Sequence, residues 1–147
     1  MSALVLCDVN VLLFGLMAQS EHHQRCRREL DKLRAQGDQF AASELVLSAV
    51  VRIATNPKIF KPAPQTHEVF PYVNAWRTHP RAVLIQPGPR HWGLFEDLVT
   101  QANIRGGDVS DAYFAALAME HGCVWWTTDD DFKRFAGLQT RHLLHDA

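Results

Sequence analysis

Leu4-Val5-Leu6-Cys7-Asp8-Val9-Asn10 opens the chain with a continuous apolar run that stops abruptly at a carboxylate. A run this short and apolar at every position predicts a β-strand buried on both faces, as in parallel sheets covered by helices. The spacing predicts a helix from Val9 to Met17 directly after it, so Asp8 stands at a strand-to-helix junction. The next segment, Glu21 to Gln36, places Cys26, Leu30 and Leu33 at helical intervals on a charged surface, and Gly37 ends it. Phe40 to Ala42 reads as a second short strand. Ser43 then caps a helix that starts at Glu44 and stops near Thr55, ahead of Asn56-Pro57.

All seven prolines lie between Pro57 and Pro89, which predicts a loop-rich middle holding one helix, Thr66 to Trp76, and one strand, Ala82 to Ile85. Pro89 suits the first turn of a helix ending near Asn103. Val109 to His121 is an alanine-rich helix closed by Gly122, and Cys123 to Thr127 is a strand. Asp129 to Phe135 reads as a short helix and Arg141 to Leu144 as an edge strand. Strands alternating with helices imply a mainly parallel sheet between helical layers, an α/β sandwich. At 147 residues and 47% hydrophobic, the chain fits a single domain spanning 1–147 with one core.

The charge is neutral in sum and segregated in sequence. The formal net charge is -1, yet Gly106 to Phe132 holds six acids (Asp108, Asp111, Glu120, Asp129, Asp130, Asp131) and neither Lys nor Arg. Arg52 to Arg105 carries seven Lys or Arg against three acids. The three cysteines, Cys7, Cys26 and Cys123, lack zinc-site spacing and read as buried, reduced thiols. Ala3 to Ala18 is apolar but lacks a basic leader and is broken by Asp8 and Asn10, so the expectation is a soluble, cytoplasmic protein with no membrane segment.

In open parallel sheets the functional crevice lies beyond the carboxyl ends of the strands. Asp8 follows the first strand, Glu44 the second and Asp129 the strand ending at Thr127, while Asp111 lies in the first turn of the alanine-rich helix. Four carboxylates brought to one edge need protons or cations to offset their repulsion, and an all-oxygen set suits a hard divalent cation such as Mg²⁺ or Mn²⁺. Singly, each acid has a simpler explanation. Asp8 and Asp129 can cap the helices behind them, Glu44 sits in a positive first turn, and Asp108 reads as an N-cap with Asp111 at N3. Their joint occurrence at strand ends favours a site.

These residues carry a resemblance. Asp8-x-Asn10, Glu44 with Arg52-Ile53-x-Thr55-Asn56-Pro57 behind it, Asp111-Ala112 opening an Ala-Ala-Leu-Ala helix, and Thr128-Asp129-x-Asp131-Phe132 together resemble a PIN domain. They are most similar to the VapC toxins of type II toxin-antitoxin systems. The resemblance implies a three-layer α/β/α sandwich and an Mg²⁺-dependent endoribonuclease, with catalytic, metal-holding acids at Asp8, Glu44, Asp111 and Asp129. It further implies an RNA substrate, a cognate VapB-type antitoxin and a homodimer. Asn10, Arg52, Thr128 and Asp131 are expected to support substrate or site, and either Asp129 or Asp131 can be the fourth acid.

Other signals have two readings each. Glu44, Ser48 and Arg52 form one polar stripe, either a salt link or a device that brings Arg52 to the scissile phosphate. Lys58, Lys61, Arg77, Arg81 and Arg90 are candidate phosphate contacts or solvated surface. Trp92, Trp125 and Trp126 can stack bases, although the last two fall in a strand and at least one belongs to the core. His22-His23 are poor joint ligands, because neighbours on a helix diverge. A receiver-type phosphoacceptor would need an acidic pair at the first strand and a strand-end Lys. A haloacid-dehalogenase phosphatase would need Asp at position 10, where this chain has Asn. The remaining alternatives are an RNA-processing PIN nuclease outside toxin-antitoxin systems and a catalytically quiet PIN binding module.

Overall fold

A computed structural model describes residues 3–146. β1 (Val5–Cys7) leads into α1 (Val9–Leu16) and α2 (His23–Ala35). β2 (Phe40–Ala42) leads into α3 (Glu44–Ala54), followed by α4 (Thr66–Arg77) and β3 (Ala82–Leu84). α5 (His91–Ala102) and α6 (Val109–Glu120) form a helical pair, and β4 (Val124–Thr127) and β5 (Gln139–His142) complete the sheet. The strands are parallel throughout: β1 pairs with β4 and β4 with β5, while β2 pairs with β3. The sheet is thus two ladders rather than one, and they meet where β1 runs alongside β2. Helices flank it as expected of a three-layer α/β/α sandwich.

Across the sheet the strands run 3-2-1-4-5, so the chain winds one way from β1 and then returns to the other side of it. The reversal falls between β1 and β4, the position at which open parallel sheets place their functional residues, beyond the carboxyl ends of the strands. β1 and β4 are in register from Val5 opposite Val124 to Cys7 opposite Trp126. The Asp8 amide continues the ladder by donating to the Trp126 carbonyl at 2.8 Å. Asp8 is therefore fixed by sheet pairing before its side chain makes any contact.

Local chemistry explains most of the helix boundaries. Ser43 caps α3 by accepting from the Leu45 amide, and Gly37, at φ 86°, turns the chain out of α2. α1 tolerates a glycine because a Cβ at Gly15 would strike the Leu30 side chain and come within 2.9 Å of the Tyr72 hydroxyl. That hydroxyl donates to the Leu12 carbonyl at 2.7 Å, tying α4 to α1. On the other side, α5 packs along α6, and the small residues Ala112, Ala115, Ala116 and Ala118 of α6 are buried.

Several expectations are corrected. Asp108 does not cap α6: its backbone is already helical (φ -68°, ψ -18°), because a 3-10 turn at Gly106–Asp108 winds directly into the helix. The segment after β4 is a 3-10 turn, Asp130–Arg134, rather than a longer helix. β5 starts two residues before the expected Arg141 and ends ahead of the apolar Leu143-Leu144 pair, since pairing with β4 sets its register. Both Trp125 and Trp126 are buried, Trp125 against Phe114 and Phe132 and Trp126 beneath the Arg141 guanidinium. Among the three candidate stacking tryptophans only Trp92 is exposed, at 65%. All three cysteines are buried and free. Among the described residues, no helix is long and apolar enough to cross a membrane.

Candidate active site

Asp8 stands at the carboxyl end of β1, beside its neighbour β4. Its residue is 5% exposed, and both carboxylate oxygens are engaged. Oδ1 accepts the Val9 amide at 2.7 Å, capping α1, and Oδ2 accepts the Thr127 hydroxyl at 2.7 Å. The Thr127 oxygen in turn accepts the Asp129 amide at 3.0 Å, so one side chain at the end of β4 links both acids. Burial pushes the Asp8 carboxyl up to about 7, against the two hydrogen bonds, and the charges of Asp111 and Asp129 push the same way. A carboxylate so placed is short of positive charge.

Asp111, in the first turn of α6, is half-buried. Burial first, then the charge of Asp129, raises its carboxyl above the ordinary range, and Arg134 opposes the rise. The Arg134 guanidinium reaches Asp111 Oδ2 at 3.1 Å and Asp108 Oδ2 at 3.6 Å. Asp129 Oδ1 accepts the Asp131 amide at 2.9 Å, which closes the turn behind it. Asp129 acts on both Asp8 and Asp111, whereas Asp131 acts on Asp111 and is itself exposed. Of the two candidates for the last acid, Asp129 is the one whose charge acts on both Asp8 and Asp111.

Asp8, Asp111 and Asp129 thus share one end of the sheet and act on one another through their charges, although among the described residues their three carboxylates do not bring oxygens within 4.8 Å of one another. Glu44 stands at the correct sheet edge, directly after β2, but its carboxylate faces away to Arg77 at 2.7 Å and is 66% exposed. Arg52, two turns further along α3, is exposed and does not pair with Glu44. It lines a groove of about 230 Å³ between α3 and α6, with Ser48, Ser110 and Tyr113. Asn10 has its side-chain oxygen buried with no hydrogen-bond partner. Thr128 makes no side-chain bond to the acids among the described residues; Thr127, one position earlier, performs that function.

The remaining charges sort by their partners. Glu120, though part of the acidic block, accepts the amides of Gly88 and Arg90 at 2.8 and 2.9 Å and shapes a turn at the far end of α6. Arg77, Arg81 and Arg90 are held by Glu44, the Arg34 carbonyl and the Glu120 carbonyl. Asp130 turns toward His142 and His145, which stack at 4.0 Å. His142 Nδ1 accepts the Leu144 amide at 3.2 Å, leaving the ring proton on Nε2, directed at Asp130 3.5 Å away. That tautomer favours a hydrogen-bonded pair over a ligand set.

Sequence reasoning overlooked Thr127 and Arg134. Thr127 carried a signal, since a hydroxyl-bearing residue closing a buried strand two residues before an acid is placed to bond it. Arg134 carried less: it is the second of two cations, Lys133-Arg134, that follow the acidic block.

A parallel sheet with acids at its switch point is the framework of a nuclease-type carboxylate site, and the PIN-domain family profile matches residues 5–138. The chain belongs to the PIN-domain family and, within it, to the VapC ribonucleases. It is similar to ribonuclease VapC43 of Mycobacterium tuberculosis, at 33% identity over 141 residues covering 95% of this chain and 96% of the relative. To ribonuclease VapC25 of the same species it is 37% identical over 139 residues, covering 94% and 96%. Among solved structures, VapBC2 from Rickettsia felis bound to a promoter DNA fragment shares the fold with a TM-score of 0.69 at 15% identity, covering 94% of this chain and 97% of that one. FitAcB from Neisseria gonorrhoeae shares it with a TM-score of 0.63 at 20% identity, covering 97% and 99%.

Proposed function

We propose that this chain is a divalent-cation-dependent endoribonuclease and the toxin of a VapBC-type toxin-antitoxin pair, using Mg²⁺ with Mn²⁺ as a substitute. The observation that carries the reading is the buried carboxylate of Asp8 beside those of Asp111 and Asp129. An ionised carboxylate offers about four acceptor sites, and Asp8 spends one on Val9 and one on Thr127, so oxygen remains for a cation. The donor set is all oxygen and fits a hard cation. Asp8, Asp111 and Asp129 hold it in this reading, and Glu44, at the sheet edge after β2, serves as the fourth acid once its carboxylate leaves Arg77.

A bound divalent cation at such a site activates water for attack and offsets charge gathering on the phosphoryl oxygens. Everything else falls to the chain. Thr127 fixes Asp8 and Asp129 relative to each other, and Arg134 orients Asp111. Asn10 has an acceptor to spend on a water or a ribose hydroxyl. Arg52, Lys58, Lys61 and Arg105 are exposed and make no ion pair among the described residues, so they are among the cations available to RNA phosphates. The expected products carry a 5′-phosphate and a 3′-hydroxyl.

The partners in this reading are an RNA, a VapB-type antitoxin and a second copy of the chain. Its support lies in the relatives, which are named VapC ribonucleases, and in the solved structures of the same fold, which include VapBC complexes. The test is induction of wild type and Asp111→Asn in cells, followed by mapping of RNA ends. New 5′-phosphate ends in wild type alone support the reading; identical end maps refute it and favour a quiet binding module.

A further inference from the structure

Arg134 closes the short turn after β4, and its guanidinium lies inside the acidic end of the molecule. Nη2 is 3.1 Å from Asp111 Oδ2, and Nη1 is 3.6 Å from Asp108 Oδ2. The guanidinium carbon sits over the Phe135 ring, 5.0 Å from its centroid. Nε is buried with no hydrogen-bond partner. An unpaired, buried guanidinium N–H is costly, so attraction to the acids must offset that cost and hold the side chain in place. Among the groups acting on Asp111, burial and three other acids disfavour its ionised form, and Arg134 opposes them.

We propose that Arg134 is a built-in stand-in for the cation: a positioning residue that neutralises and orients Asp111 in the metal-free protein and yields Asp111 Oδ2 when a divalent cation binds. The inference rests on the metal-centred reading above. Arg134 then has two opposed effects. It protects the metal-free fold from repulsion among Asp108, Asp111 and Asp129, and it raises the cation concentration needed to load the site. A residue that only shaped Asp111 for the metal would act in the other direction, because its removal would weaken loading. The two roles differ in sign.

The test is Mn²⁺ titration, read by the electron paramagnetic resonance of the free ion, on wild type and Arg134→Gln. Melting temperatures are recorded with and without Mn²⁺, and also for Asp111→Asn and the double variant. Arg134→Gln should bind Mn²⁺ at least about tenfold more tightly, equivalent to about 1.4 kcal/mol. It should melt lower than wild type without metal and recover at saturation. The metal-free loss should shrink in the Asp111→Asn background, where the ion pair is already gone. Equal or weaker Mn²⁺ binding by a folded Arg134→Gln overturns the inference. If that variant does not fold, Arg134→Met keeps the stem over Phe135 and gives the same readout. Failure of both to fold even in saturating Mn²⁺ makes Arg134 structural and equally overturns it. Wild type that binds no Mn²⁺ refutes the metal-centred reading instead, a separate and recognisable result.

Discussion

Replacing Asp8 by Asn should stabilise the metal-free protein at alkaline pH while destroying its site. Burial raises the Asp8 carboxyl from an ordinary 3.8 to about 7. Between those values the folded chain keeps a proton that the unfolded chain has released, so stability contributed by this group falls as pH rises through the window and levels off above 7. A gap of about three units corresponds to a contribution of about 4 kcal/mol. Asn keeps the Val9 bond through its oxygen, and its NH₂ can donate to the Thr127 oxygen, but the buried Thr127 hydroxyl proton then loses its acceptor, which offsets about 1–3 kcal/mol of the gain. Metal-free Asp8→Asn should therefore melt on the order of 5 °C above wild type at pH 8.5. Below about pH 3, where Asp8 is protonated in both states, the pH-dependent difference should level off. Added Mn²⁺ should raise the wild-type melting temperature and leave the variant unchanged. Calorimetry at a series of pH values, with chelator and with Mn²⁺, checks all three. A difference that is independent of pH, or a variant less stable than wild type at pH 8.5, would refute the reasoning.

Thr127→Val removes the hydroxyl that bonds Asp8 and accepts from Asp129, at a cost of about 1–3 kcal/mol in stability. It also removes a bond that favours ionised Asp8, so Mn²⁺ affinity at pH 7 should fall and recover as pH is raised; a pH series of binding isotherms tests this. Gly15→Ala forces a methyl against Leu30 and Tyr72, far from the acids. It should cost about 1–3 kcal/mol in denaturant melts while leaving Mn²⁺ affinity within about twofold of wild type.

What could be read from sequence follows how far each determinant lies along the chain. β1 was legible because four consecutive apolar residues ending in a carboxylate allow few alternatives, and α3 because Ser43-Glu44 follows a buried strand. Glu44 marks the limit of such reasoning. Its place on the sheet edge was readable, but the direction of its carboxylate is set by Arg77, 33 residues away. The Thr127 bond to Asp8 spans 119 residues and the Arg134 pair with Asp111 spans 23, so neither has a local signature. Asp108 failed as a cap for a nearer reason: capping requires a non-helical backbone, and the 3-10 turn before α6 removes it.

The segregated charge of the chain takes on a definite meaning once these contacts are joined. A net charge of -1 argues against a nucleic-acid enzyme only if every charge is free to act on solvent. In the metal-free molecule the three acids are each offset differently. Asp8 is offset by a proton near neutral pH, Asp111 by the Arg134 guanidinium, and Asp129 by the amide of Asp131. Each is a weak and replaceable substitute for one divalent cation. In the proposed site, loading a cation would release the proton from Asp8 and free Asp111 from Arg134, so cation affinity should rise with pH up to about 7.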